Sequence, residues 1–132
     1  MVDFVNAWSS DQWYCVPPCF AERFEQVSRT YFPQSYRECP EFLRHKAFIL
    51  SPSLLQRHNV PVFKCVQHAG EFMITFPQSY HCGFNYGFNC AESVNFSTER
   101  WIERGLRAKA CRCRSHSVSI NMVDFLKCLQ ES

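Results

Sequence analysis

No apolar run in this chain approaches the ~18 residues of a membrane-spanning helix, so no membrane partner is implied. Residues Met1 to Ser10 contain neither the basic n-region nor the apolar h-region of a secretory signal. Both absences point to a reducing intracellular compartment. There, clustered cysteines more often bind metal or lie buried as thiols than form disulfides. Charge is also sparse: 20% of residues are charged and the formal net charge is +2, which says little about partners. The chain has no internal repeat or low-complexity segment. What it does have is 46% hydrophobic residues, 13 of them phenylalanine, across 132 positions. That is enough for the packed core of one domain, or a piece of one, and argues against a disordered chain.

Turn and period signals divide the chain. Residues 1–12 show no clear period. Trp13 to Val16 reads as a short strand ended by Pro17 and Pro18. A helix follows over about Cys19 to Tyr31, with Phe20, Phe24, Val27 and Tyr31 on one face. Pro33 ends it, and Gln34 to Pro40 reads as loop. Glu41 to Arg44 predicts one helical turn, and Ala47 to Leu50 an apolar strand or buried segment. Ser51 caps a short helix with Pro52 at its first position. Val62 to Gln67 and Phe72 to Phe76 read as strands. A turn holding His81, an Asn/Gly/Phe loop bracketed by Gly83 and Gly87, and a strand at Ser93 to Phe96 come next. The last helices span about Ser97 to Arg107 and begin again at Asn121, with Ile120 and Phe125 as staple and Asp124 as the capping acid. Short strands with helices added predict a β-rich core with α decoration.

Nine cysteines make an odd, high count. Cys111-Arg112-Cys113 can present two thiolates to one zinc. Cys39 and His45 suit the remaining positions; Cys15 and Cys19 are an alternative, and buried free thiols are the other reading. Cys65, Cys82, Cys90 and Cys128 sit in apolar settings and read as core. Oxygen-activating iron sites use two histidines and a carboxylate, commonly starting from His-x-Asp/Glu. None of the five histidines here begins that pattern, so His81 alone does not make an iron site. From Glu99 to Arg114, Arg100, Arg104, Arg107, Lys109, Arg112 and Arg114 face only Glu99 and Glu103. This segment offers a weak contact to DNA phosphate or forms a solvated helix face.

Four collinear stretches carry a resemblance. They are Trp13-Tyr14-x-Val16-Pro17-Pro18, Phe42-Leu43-Arg44-His45-Lys46, Ala69 to Pro77, and Tyr80-His81-x-Gly83-Phe84-Asn85-x-Gly87-Phe88-Asn89-Cys90-Ala91-Glu92. Together they resemble the JmjC histone lysine demethylases, closest to the subfamily with an extra zinc site that acts on trimethylated histone H3. The resemblance implies the C-terminal part of a double-stranded β-helix (a jelly roll, cupin-like) and Fe(II)- and 2-oxoglutarate-dependent removal of N-methyl groups as formaldehyde. It also implies a nuclear location and a methylated H3 tail and chromatin as partners. It makes His81 the distal iron ligand and Cys39, His45, Cys111 and Cys113 a Cys₃His zinc site. Lys46 and Asn95 match polar residues on the iron and oxygen side of the pocket, Ser93 a residue near the methylammonium group, and Trp13 an aromatic near the co-substrate. The implied organisation is an unmatched stretch 1–12, a partial JmjC domain 13–97, and a helical, zinc-binding segment 98–132.

The departures are specific. The family's His-x-Glu would fall just before Met1. Its 2-oxoglutarate-binding lysine falls at Asp11, a charge reversal that repels the anion. A further co-substrate asparagine falls near Asp3. The sequence reading therefore expects a partial demethylase domain, inactive as this chain alone. The rival is a non-catalytic, zinc-stabilised remnant serving as a chromatin or protein interaction module.

Overall fold

The computed structural model of the chain describes residues 1–111, 113 and 119–131, and for residues 6–8 the backbone only. Arg112 and Arg114 of the basic segment lie outside the described residues. The chain divides into two compact units, Met1–Tyr31 with Ile49–Phe96, and Phe32–Phe48 with Ser97–Ser132.

The first unit is built on two three-stranded antiparallel sheets. In one, β1 (Val2–Trp8) lies between β4 (Phe72–Ile74) and β6 (Asn89–Val94). In the other, β2 (Asp11–Val16) lies between β3 (Phe63–Gln67) and β5 (Tyr80–Asn85). The stretch 1–12, in which no period is legible, thus supplies the whole of one central strand and the start of the other. Its alternation is masked because Asp3 and Asn6 interrupt an otherwise apolar run, and the β1–β6 register shifts between Val5 and Ala7. Directly paired residues share a sheet face. Asp3, Met73 and Ser93 therefore form one row, and Phe4, Phe72 and Glu92 the row facing the other way. The Phe4 and Phe72 rings stack with centroids 4.5 Å apart. On the second sheet, Asp11, Trp13 and Cys15 share a face with Gln67, Cys65, Phe63, Asn85, Gly83 and His81.

Two readings near His81 are corrected here. His81 lies within β5, not in a turn, and Gly83 also belongs to that strand. Gly83 serves close approach instead of a bend: a Cβ there would stand 2.7 Å from the backbone oxygen of Gln12 on β2. The expected strand at Ser93 to Phe96 lies earlier, at β6, and Phe72 to Phe76 is strand only as far as Ile74.

A 3₁₀ turn at Pro18–Phe20 leads into α1 (Ala21–Tyr31). Its Phe20–Phe24–Val27 stripe packs on Val16, Leu55, Val60, Val62, Leu50 and Tyr80 to form this unit's apolar core. Burial of each such large side chain is worth about 1.5–3 kcal/mol. Tyr31, expected on the same face, is 44% exposed, its hydroxyl 2.9 Å from His58 Nε2. Ser51 caps α3 (Pro52–Arg57) as expected, its Oγ accepting from the Leu54 N–H at 3.3 Å.

In the second unit, Pro33 opens α2 (Pro33–Glu38) where a loop is expected, because proline's missing N–H costs nothing at a helix start. A 3₁₀ turn follows at Phe42–His45. Phe42, 1% exposed, forms a small core with Cys39 and Cys111, ringed by Phe32, Tyr36, Leu43 and Phe48. Ala47 to Leu50 is not a strand, and Ile49 is largely exposed. The two C-terminal helices are α4 (Glu99–Arg107) and α5 (Met122–Glu131). Asn121 caps α5, accepting from the Val123 N–H at 3.1 Å, and its amide donates to Asp124. Ile120, the expected staple, is 56% exposed. The Trp101 and Phe125 rings meet edge-on with centroids 5.8 Å apart. No helix among the described residues is long and apolar enough to cross a membrane.

Candidate metal centre and the chamber between the sheets

Four side chains of the second unit converge. Cys39 leaves the end of α2, His45 ends the 3₁₀ turn, and Cys111 and Cys113 follow α4. One potential ligand atom from each lies within 4.8 Å of every other. Cys39 Sγ is 3.7 Å from Cys111 Sγ, and His45 Nε2 is 3.2 Å from Cys111 Sγ. Two sulfurs bound tetrahedrally to one zinc stand ~3.8 Å apart, and a sulfur and an imidazole nitrogen ~3.5 Å. The donor set and its spacing therefore fit a closed, four-coordinate zinc site. Cys39 and Cys111 are buried, and Cys113 is exposed. Protons are held unevenly across the group. The Cys113 backbone N–H, 3.4 Å from Cys111 Sγ, leads in pulling the Cys111 thiol down to about 6, against the opposing effect of burial and with help from His45 and Cys39. Hydrogen bonding with Cys39, then burial and Cys111, pushes Cys113 up to about 11. A dication would displace the remaining protons, since thiolates are the ligating form.

The alternative pair is not brought into such a group. Cys15 Sγ lies 2.8 Å from Ser79 Oγ, and Cys19 is exposed. Cys65, Cys82, Cys90 and Cys128, read as core, are all exposed.

The second constellation lies in the first unit, beside residues of both sheets. A cavity of about 130 Å³ opens there, lined by Trp13, Tyr14, Cys15, Phe63, Lys64, Cys65 and His81 from one sheet and by Met73 and Ile74 from the other. The Trp13 and His81 rings lie 6.0 Å apart, as their shared face requires. His81 is exposed, with Nδ1 3.0 Å from the Ser79 carbonyl. Ser93 stands opposite Asp3, and Asn95 lies just past the end of β6; both are exposed. Val94, in the outward row, is 64% exposed. Among the described residues, no second histidine or carboxylate joins His81 in a metal-ligating group. Lys46 belongs to the second unit. It is exposed and held at φ 54°, a left-handed conformation uncommon for a residue with a side chain.

Gln67 escaped the sequence reading, although it bridges the two sheets. Only 1% exposed, it accepts from the Trp13 indole N–H at 2.8 Å and donates to the carbonyls of Asp3 at 3.0 Å and Glu71 at 2.9 Å. The available signal was a polar residue at the inward register of a strand. Gln12 plays a similar part, donating to the Cys65 carbonyl and accepting from the Tyr86 hydroxyl at 2.7 Å. Asp11 is 5% exposed and accepts from the Asn89 amide. Asp3 Oδ1 is buried without a hydrogen-bond partner. Burial, and then the charge of Asp11, raise the Asp3 pKa.

The chain matches the family described as "JmjC domain, hydroxylase" over residues 2–96, a span that takes in nearly all of the stretch 1–12 left unmatched above. It is 45% identical to lysine-specific demethylase 4B of Mus musculus over 129 residues, covering 98% of this chain and 12% of that protein. It is 43% identical to lysine-specific demethylase 4D of Rattus norvegicus over 129 residues, covering 98% of this chain and 25% of that protein. The chain thus spans a quarter or less of these relatives. With paired antiparallel sheets, the Cys₃His group and a family match across most of its length, the chain belongs to the JmjC domain family, whose chemistry implies Fe(II) and 2-oxoglutarate.

Proposed function

We propose that this chain is part of a JmjC lysine demethylase domain that acts on methylated histone H3 in chromatin, in the nucleus, and that by itself it does not turn over substrate. The observation that carries the reading is the Cys₃His group in a chain so similar to lysine-specific demethylases. Zinc bound there would join the segment after α4 to the loop between α2 and the 3₁₀ turn and contribute directly to folding. In the complete domain His81 would supply one Fe(II) ligand, with Trp13 beside the co-substrate, Ser93 near the methylated lysine, and Asn95 as a polar group of the same pocket. Iron and 2-oxoglutarate would supply the oxidation. This chain's own residues would shape and orient the pocket.

The purified chain should carry about one zinc, and it should release formaldehyde from a trimethylated H3 peptide only at background with iron and 2-oxoglutarate present. Well-folded protein without zinc would remove the zinc assignment. Turnover that depends on His81 would remove the claim of inactivity. A second reading keeps the zinc-stabilised fold as a non-catalytic chromatin or protein interaction module, with Arg100, Arg104, Arg107 and Lys109 as its basic contact to DNA. Asp11, a carboxylate on the sheet face of Trp13 and His81, favours it.

A further inference from the structure

We propose that the cavity beside Trp13 is a soft-metal site that takes Cu(I), anchored by the Cys15 thiolate and the His81 imidazole, with Cys65 and Met73 offering further sulfur.

Cys15, Cys65, Met73 and His81, all soft donors, line this one cavity. Strand register brings three of them together. Cys15 is paired directly with His81 on β5, and Trp13 with Cys65 on β3, so both thiols and the imidazole share a sheet face. Directly opposed residues have Cβ atoms about 4.5–5.5 Å apart, within the span of a sulfur–metal–nitrogen bridge. Ser79 orients both anchors. Its hydroxyl lies 2.8 Å from Cys15 Sγ, and its carbonyl lies 3.0 Å from His81 Nδ1. A carbonyl only accepts, so the proton sits on Nδ1 and the Nε2 lone pair is left for a metal, the usual support of a metal-binding histidine.

The donor set selects the ion. Two histidines and a carboxylate, the set that suits Fe(II), do not meet here: among the described residues no second histidine or carboxylate joins His81. Thiolate and thioether sulfur prefer Cu(I), which is satisfied by two or three ligands where structural zinc takes four. No carboxylate lines the cavity, and a monovalent ion neutralised by one thiolate costs less to bury there than a dication left with charge. Lys64, a cation on the lining, is engaged by the Tyr14 ring, 5.6 Å from its ammonium. On binding, the Cys15 S–H proton leaves to solvent as the copper–sulfur bond forms, and copper stays in the +1 state.

The test uses the full chain, loaded with zinc and kept anaerobic, with Cu(I) delivered from its bathocuproine disulfonate complex. The chain should take up about one Cu(I) while keeping its zinc. Trp13 fluorescence, read by subtracting the Trp13→Phe variant, should be quenched as copper enters. X-ray absorption should show both sulfur and imidazole nitrogen on the copper. Cys15→Ser should weaken uptake at least about tenfold, and Cys65→Ser and Met73→Leu should weaken it less. Cys90→Ser and Cys128→Ser remove exposed thiols outside the cavity and should change nothing. Uptake that Cys15→Ser leaves unchanged overturns the proposal, and so does uptake matched by release of zinc. If Cys15→Ser fails to fold, the absorption spectrum of the unsubstituted chain decides, and copper bound by sulfur alone overturns the proposal. Formaldehyde release plays no part in these measurements, so failure here is separable from failure of the proposed function.

Discussion

The two units are built on opposite principles. The first encloses polar side chains and satisfies nearly all of them internally: Gln67, Gln12, Asn89 and Trp13 bond to one another's strands, and one oxygen of Asp3 is left over. The second has a core of Cys39, Phe42 and Cys111, so small that two of its three buried members are metal-ligand candidates. Strand pairing can hold the first together without any ion. Too little apolar surface is buried in the second for it to do the same, and small modules of that kind depend on a metal.

Cys111→Ser should break this contrast most severely. Structural zinc sites contribute about 10 kcal/mol or more of binding free energy, so this variant should lose its zinc and unfold the second unit. Metal analysis should fall to background, and proteolysis should cut within 97–131 while 1–31 and 49–96 stay protected. A zinc-free, protease-resistant variant would show that the second unit needs no ion.

Acid should do the same reversibly. The folded Cys111 pKa, about 6, lies below the ordinary thiol value of 9.0. Its contribution to stability is therefore fully present above the unfolded pKa and is lost as pH falls through the folded one. Cys113, raised to about 11, has the opposite sign: its contribution is present below 9.0 and lost as pH rises through about 11. Zinc binding also requires thiolates, so release to a chromogenic chelator should rise steeply as pH drops toward and below about 6. A flat release curve across that range would contradict the assignment.

Gln67→Leu sharpens the comparison from the other side. It strands the Trp13 indole N–H and the carbonyls of Asp3 and Glu71, and should cost the first unit about 2–4 kcal/mol. Zinc content should be unchanged, and an unaltered denaturant midpoint would show that the buried polar layer does not matter. Asp3→Asn should gain about 1 kcal/mol at neutral pH by removing a buried charge without a partner. Because the Asp3 pKa is raised, its own contribution is present below the carboxyl's ordinary pKa and is lost as pH rises through the folded one. The variant's advantage should thus vanish near pH ~4, which urea titrations at both pH values check. Arg107→Ala gives the smallest change. Its 2.6 Å pair with Glu103 is 79% and 73% exposed, so about 0.2–0.5 kcal/mol is expected in a thermal melt.

Legibility in the sequence followed the same division. The Cys₃His group could be found from residue type and local spacing plus the family resemblance, because zinc accepts few ligand types. Helices α1 and α3 followed from apolar period and caps. β1 was not legible, because Asp3 and Asn6 break its pattern and its partners lie some 70 residues or more away. The exposure of Cys65, Cys82, Cys90 and Cys128 was hidden for a related reason. An apolar neighbourhood in sequence does not say which sheet face is covered.

Gly83 and Gly87 look alike in the sequence but constrain substitution differently. At Gly87 an added methyl would meet the Ser9 hydroxyl, which a rotamer change can move aside. At Gly83 it would meet the β2 backbone itself, two residues from His81 and directly opposite Trp13. In a saturation library position 87 should accept small side chains, whereas position 83 should tolerate none. Any survivor at 83 will have moved β5, and with it the imidazole, away from the indole.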